Sequence, residues 1–296
     1  SEAYKATKND LYQKVVTETL AFVAKELTGN EGVFYSSLDA DSENEAGTLE
    51  EGAFYTFKQP ELQELILTDW PIFKEYFNVN EYGKWQEENT YVLIRTASDA
   101  SIAAQFSLTE SELQQKVADW KKTLYNYREK RPKARLDDKT LTSWNALMMK
   151  SFSEAAIATK NQEYLRIAQL NADFITSNLY KSSILYRTYQ NDKPKITGFL
   201  EDYSFLIDAL LKLHEASFDS KWLEIAVDLC YEMVDLFWDD STGILYDTSN
   251  THENLVIRPS EWTDNAIPAG ASLAVEVLLK FSISFIVFLD WSAVIL

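Results

Sequence analysis

The sequence predicts an all-α protein assembled from paired helices, and three observations carry that reading. Breakers are scarce, with eight Gly and six Pro in 296 residues, which disfavours turn-rich sandwiches and propellers. Apolar residues recur at helical spacing over most of the chain. An acidic motif returns at Asp138, Asp202 and Asp264, 64 and 62 residues apart, each time where an apolar helix opens. A constant period of this size signals a helical repeat array.

Taken in order, Leu11, Val15, Val16, Leu20, Val23 and Leu27 mark one amphipathic helix. Gly32 to Ser36 and Gly52 to Phe57 read as two aromatic strands flanking an acidic loop, Asp39 to Glu51, a hairpin inserted after that helix. One or two short helices are expected over Pro60 to Asn78, a brief strand at Tyr91 to Ile94, and a capped helix over Ser111 to Tyr127 that stops at the basic run before Pro132. The first repeat then opens at Leu136 to Asn145, runs to Thr159 and returns over Glu163 to Leu179. The second opens at Phe199 to Tyr203, runs to Ala216 and returns over Lys221 to Phe237. The third opens at Trp262 to Gly270 and runs to Lys280. Aromatic segments between them, Ile184 to Tyr189 and Gly243 to Tyr246, read as short hairpins at one end of the array.

With 28 Lys and Arg against 46 Asp and Glu, the net charge of −18 repels nucleic acid and anionic membrane. One Cys, Cys230, in an apolar run, and two His exclude a zinc or iron–sulfur centre. The Asp39, Asp41, Glu43 spacing lacks the glycine and distant glutamate of an EF-hand loop, so no metal is expected. No Gly-rich phosphate loop or Gly-x-Ser-x-Gly elbow occurs, and no cofactor is expected. The polar start, Ser1 to Asp10, carries no apolar signal core, and the expected compartment is the cytoplasm.

Four ordered blocks carry a resemblance: GVFYSSLDADSENEAGTLEEG from Gly32, RPKARLDDKTLTSWNAL from Arg131, FLEDYSFLI from Phe199 and RPSEWTDNAIPAGAS from Arg258. In these the chain resembles the spermatogenesis-associated protein 20-like family, in which a thioredoxin-like domain precedes an (α/α)6 barrel related to six-hairpin glycosidases and N-acylglucosamine 2-epimerases. The resemblance implies an (α/α)6-barrel or toroid and sugar chemistry. The chain shows about four helix pairs and no thioredoxin-like domain, so a partial barrel is expected over residues 1–280. The segment 281–296 reads as an atypical apolar tail, whose nine uncharged residues from Phe281 fall short of the ~20 that span a membrane. Uncovered barrel faces imply self-association, with the tail taking part.

In such a barrel the inner helices bring their N-terminal turns together. Asp138, Glu201, Asp202 and Asp264 are the candidate catalytic carboxylates, since glycoside hydrolysis needs one protonated acid and one ionised partner. Asp202 or Glu201, among apolar neighbours, suits the acid or base, with Asp138 as the ionised partner. Asp137, Trp144, Asn145, Tyr203, Arg258 and Trp262 are candidate sugar contacts, with Asp39 and Asp41 overhanging from the acidic loop; aromatic faces suit sugar rings and Arg258 suits bidentate hydrogen bonding. His214 and His252 match no catalytic position. The leading expectation is a glycosidase- or epimerase-like enzyme acting on a sugar. The alternative is a non-catalytic sugar- or partner-binding scaffold, in which the same acids only cap helices.

Overall fold

The computed structural model describes residues 1–44, 46–253 and 256–294, with side chains as far as Ser282. Eleven α-helices are seen among them: α1 (Glu2–Thr7), α2 (Asp10–Glu26), α3 (Gln59–Ile66), α4 (Trp70–Tyr76), α5 (Asp99–Gln105), α6 (Glu110–Arg128), α7 (Thr142–Thr159), α8 (Gln162–Asn178), α9 (Leu200–Ser217), α10 (Ser220–Phe237) and α11 (Gly270–Val294). The span 1–280, expected as one domain, contains two compact units, 1–37 with 137–296 and 38–136. The backbone stays helical into the expected tail, whose side chains beyond Ser282 lie outside the described residues. No helix among the described residues is long and apolar enough to cross a membrane.

The first unit is a two-layer arc of helical hairpins. One layer holds α7, α9 and α11; α8 packs on α7, and α10 on α9. The two hairpin turns use the same device. Lys160 and Phe218 sit in the left-handed region with φ of 56° and 59°, ending α7 and α9. Asn161 and Asp219 follow, and their side chains accept the Glu163 and Lys221 amides at 2.9 and 3.0 Å to open α8 and α10. The exposed Phe218 is held by this turn and not by packing.

Helix α9 is buried around nearly its whole circumference from Leu200 through Leu210, and at Leu213, polar Asp202, Ser204 and Asp208 included, because α7, α10 and α11 flank it. Phe152, Phe205, Trp222 and Phe237 fill the core. Midway along α9, buried Asp208 takes Lys150 Nζ from α7 at 2.6 Å and Lys280 Nζ from α11 at 2.7 Å, an ion-paired link across three neighbouring helices. The expected hairpins lie by its N-terminal end: Ile184–Gln190 pairs antiparallel with Lys193–Thr197, and Trp238–Asp239 with Ile244–Leu245. Asn191 and Asp192, both at positive φ, make the first turn.

Asn145 is consumed by the fold. Its amide donates to the Phe34 and Leu141 carbonyls at 2.8 and 2.9 Å, while its Oδ1 accepts the Phe34 amide and Asn171 Nδ2, both at 2.8 Å. This seats the Phe34 ring against Phe152, 5.5 Å between centroids.

In the second unit, α3 to α6 close around Leu62, Phe73, Leu113 and Trp120. Asp69 accepts both Lys116 Nζ and Trp120 Nε1, at 2.7 and 3.0 Å. The inserted hairpin is not made by the aromatic stretches: Asp41–Glu43 pairs with Leu49–Glu51 inside the acidic loop itself. The reason is turn chemistry, since Asn44 Oδ1 accepts the Ala46 and Thr48 amides and Gly47 takes φ of 75°. The later strand is shorter than expected, Thr90–Tyr91 paired with Lys84–Trp85.

Replacing Asn145 by Ala orphans a buried amide and two carbonyls, so the chain should lose roughly 2–4 kcal/mol in urea denaturation. Trp144→Ala, next door but 47% exposed, should stay within about 0.5 kcal/mol. Equal effects from the two would refute this assignment.

Candidate functional site

The N-terminal turns of α9 and α11 meet at close range. A Cβ on Gly270 would stand 2.9 Å from the Glu201 amide nitrogen, so only glycine lets α11 start there. Gly198 has more room, a Cβ there standing 3.2 Å from the Leu185 carbonyl and 3.3 Å from the Tyr203 ring. The loop after Leu245 is drawn in by backbone bonds, Leu200 N–H to the Asp247 carbonyl at 3.0 Å and Asp247 N–H to the Pro259 carbonyl at 2.9 Å. Between these parts lies a cleft of about 380 Å³, lined by Phe199, Glu201, Thr248, Thr263 and Asn265 and by two further acids, Asp247 and Glu261.

Behind the cleft sits Asp202, with none of its surface exposed. Its Oδ1 accepts the Ser143 amide from α7 at 3.1 Å; its Oδ2 accepts the Phe199 amide at 2.9 Å and Arg187 Nη1 at 3.0 Å. The same Arg187 nitrogen reaches Glu201 at 2.7 Å, and the guanidinium lies 4.7 Å from the Phe199 ring centroid. Burial pushes the Asp202 carboxyl up to about 6, against the lowering pull of Arg187 and the Phe199 amide. Burial also raises Asp247; the Glu261 amide, donating at 2.9 Å, opposes this, while the charges of Glu261 and Glu201 add to it. Tyr203, buried beneath, is pushed up to about 12 by burial, and its hydroxyl accepts the Leu185 amide at 3.3 Å.

The other sequence candidates disperse. Asp138 is exposed and accepts Gln190 Nε2 at 2.7 Å; Asp137 caps the Lys139 amide at 3.1 Å and pairs with Lys139 Nζ at 3.5 Å. Asp264 accepts the Ala269 amide at 2.9 Å, and that bond with Ser272 holds it below the usual carboxylate range; its neighbours Thr263 and Asn265 face the cleft instead. Arg258 stacks 4.3 Å over Tyr246 and donates to the Thr248 carbonyl, bracing the cleft wall. Trp262 is 53% exposed. Asp39 and Asp41 belong to the other unit, where Asp39 pairs with Arg135 at 2.8 Å. His214 bonds the Asp219 carbonyl, and His252 lies between the Ser249 and Thr197 hydroxyls. Sequence reasoning missed Arg187, Asp247 and Glu261. Glu261 stands within the matching block from Arg258, and Arg187 is the one cation of an aromatic strand. Nothing local marks Asp247, which reaches the cleft through a backbone bond to a residue 47 positions earlier.

The fold and cleft thus define a class first: a helical-hairpin protein with an acidic cleft where inner helices begin. No protein-family model matches the chain. The chain is similar to spermatogenesis-associated protein 20 of Homo sapiens, 29% identical over 310 aligned residues that cover 95% of this chain and 39% of the human protein. The Mus musculus protein of the same name is 29% identical, with 98% of this chain and 40% of that protein covered. The chain therefore spans about two fifths of the length of these relatives. Among solved structures it is similar to a D-mannose isomerase (TM-score 0.38, 14% identity, 94% of this chain and 83% of that chain). It is similar also to the cellobiose 2-epimerase of Spirochaeta thermophila (TM-score 0.40, 20% identity, 47% of this chain and 37% of that one).

A carboxyl raised in the folded state binds its proton more tightly there than in the unfolded chain, so it favours folding most at low pH and loses that contribution as pH rises from about 4 through about 6. Asp202→Asn lacks this titration. The stability gap between the parent and this variant should therefore shrink between pH 4 and pH 7 in urea melts. A gap that is flat or widens would overturn the raised assignment.

Proposed function

We propose that the first unit is an acid–base enzyme acting on a small polyhydroxylated substrate, a sugar, in the cleft at the start of α9 and α11. One observation carries the reading: Glu201, Asp247 and Glu261 line one cavity of a size that admits a monosaccharide-scale ligand. Asp247 is raised by burial and by its acidic neighbours, which suits the role of proton donor to a glycosidic or carbonyl oxygen. Glu201, its carboxylate fixed by Arg187, is the complementary base. Asp202 does not touch substrate; it is a positioning residue that holds Arg187 and hence Glu201. Thr248, Thr263 and Asn265 offer hydrogen bonds to hydroxyl groups, and the Phe199 ring offers an apolar wall. A sugar is also what the family resemblance implies, and hydrolysis and isomerisation both draw on this pair of groups.

The test is turnover of a panel of neutral mono- and disaccharides, followed by proton NMR, with the parent and two variants. Asp247→Asn and Glu201→Gln should each lower kcat by the ~10²–10⁴ that a general acid or base contributes, while far-ultraviolet circular dichroism and melting stay near the parent. Sugar binding without turnover would instead favour the scaffold reading. Full turnover by Asp247→Asn would remove it from the chemistry.

A further inference from the structure

The second unit contains a cleft unrelated to the acidic one and of opposite character. About 500 Å³ in volume, it is walled by Tyr55, Phe57, Phe77, Trp85 and Tyr125, with Arg128 at the end of α6. The wall is built in: Gly52 takes φ of 71°, and a Cβ there would stand 2.8 Å from the Trp85 ring, so the indole closes down on bare backbone. Arg128 stands among rings, its guanidinium 5.0, 5.3 and 5.6 Å from the centroids of Phe54, Tyr55 and Tyr125. Among the described residues its Nε is buried without a hydrogen-bond partner, and no carboxylate is paired with its guanidinium. That is conspicuous in a chain with 46 acidic side chains. Three residues on, Arg131 is used fully, donating to the Ala53, Phe54 and Thr56 carbonyls and to Glu61.

An aromatic-walled cavity of this volume with one unspent charge-bearing group is the usual make-up of a small-molecule site. Ring faces select a planar body by stacking. A guanidinium with free donors selects an anionic oxygen group, and most strongly in a partly dehydrated setting. We propose that residues 38–136 bind a small ring-bearing anion, an aromatic carboxylate or its isosteres, with the ring between Tyr55, Trp85 and Tyr125 and the anionic group on Arg128.

The probes are 2-naphthoate, its uncharged methyl ester and inorganic phosphate, titrated calorimetrically into the whole chain. Naphthoate should bind one to one and at least ~10-fold more tightly than the ester, the advantage of one charge-assisted contact, and phosphate should give no comparable binding. Arg128→Gln should abolish the preference for the acid. Tyr231→Ala, on exposed α10 in the other unit, should leave it intact. If Arg128→Gln fails to fold, Val92→Trp, at a 43% exposed cleft position, fills the space without touching the charge and should remove naphthoate binding. An ester that binds as well as the acid, an acid preference that survives Arg128→Gln, unchanged binding in Val92→Trp, or no naphthoate binding would each overturn the proposal.

Discussion

The first unit depends on one buried carboxylate. Asp202 joins three separate pieces of chain, taking an amide from the start of α7, an amide from the start of α9 and the guanidinium of a strand residue. A charge in such a place is tolerable only when every lone pair is engaged, and removing one partner leaves a costly uncompensated group. The arrangement therefore constrains its surroundings. Arg187 must stay within reach, and in staying it fixes Glu201 at the cleft. The acid that looks most catalytic by burial is the one that no substrate can reach.

Close approach does the rest of the positioning. Gly270 lets the start of α11 come within contact of α9 where a side chain would collide, and the backbone bond from Leu200 to Asp247 brings a third segment over the top. Three acids then share one cavity. Partial burial, and after it the charges of Glu261 and Glu201, favour the protonated form of Asp247. Midway along the same helices, Asp208 holds α7 and α11 to α9 through two lysines, so a second buried carboxylate of α9 ties the inner layer together.

The two units handle charge in contrasting ways. The first collects negative charge around a polar cleft. The second sets arginine against aromatic rings, with Arg131 satisfied by carbonyls and Glu61 and with Arg128 facing a ring-lined space. Burying a guanidinium beside ring faces is favourable through cation–π attraction, yet the fork of donors keeps its capacity for an anion.

Local pattern determined the helices. The 3.6-residue spacing of apolar groups, the scarcity of Gly and Pro and the recurrence at Asp138, Asp202 and Asp264 locate α7 to α10 and the start of α11 to within a few residues, because each helix needs only its own apolar stripe and its own caps. They do not locate the end of α11, which runs on past Lys280. The same locality explains what was illegible. The acidic loop pairs with itself because of the Asn44 and Gly47 turn, a choice between neighbours that aromatic content does not reveal. Asn145 reads as a sugar contact beside a tryptophan, but tertiary contact with Phe34, 111 residues away, takes its hydrogen bonds. The membership of the cleft was decided wholly in three dimensions: Asp247 and Glu261 enter it, and Asp138 and Asp264 do not line it, because only helix packing and long-range backbone bonds set which carboxylates share a cavity. A sequence records which residues can ionise; their distances, and the water removed around them, exist only once the chain has folded.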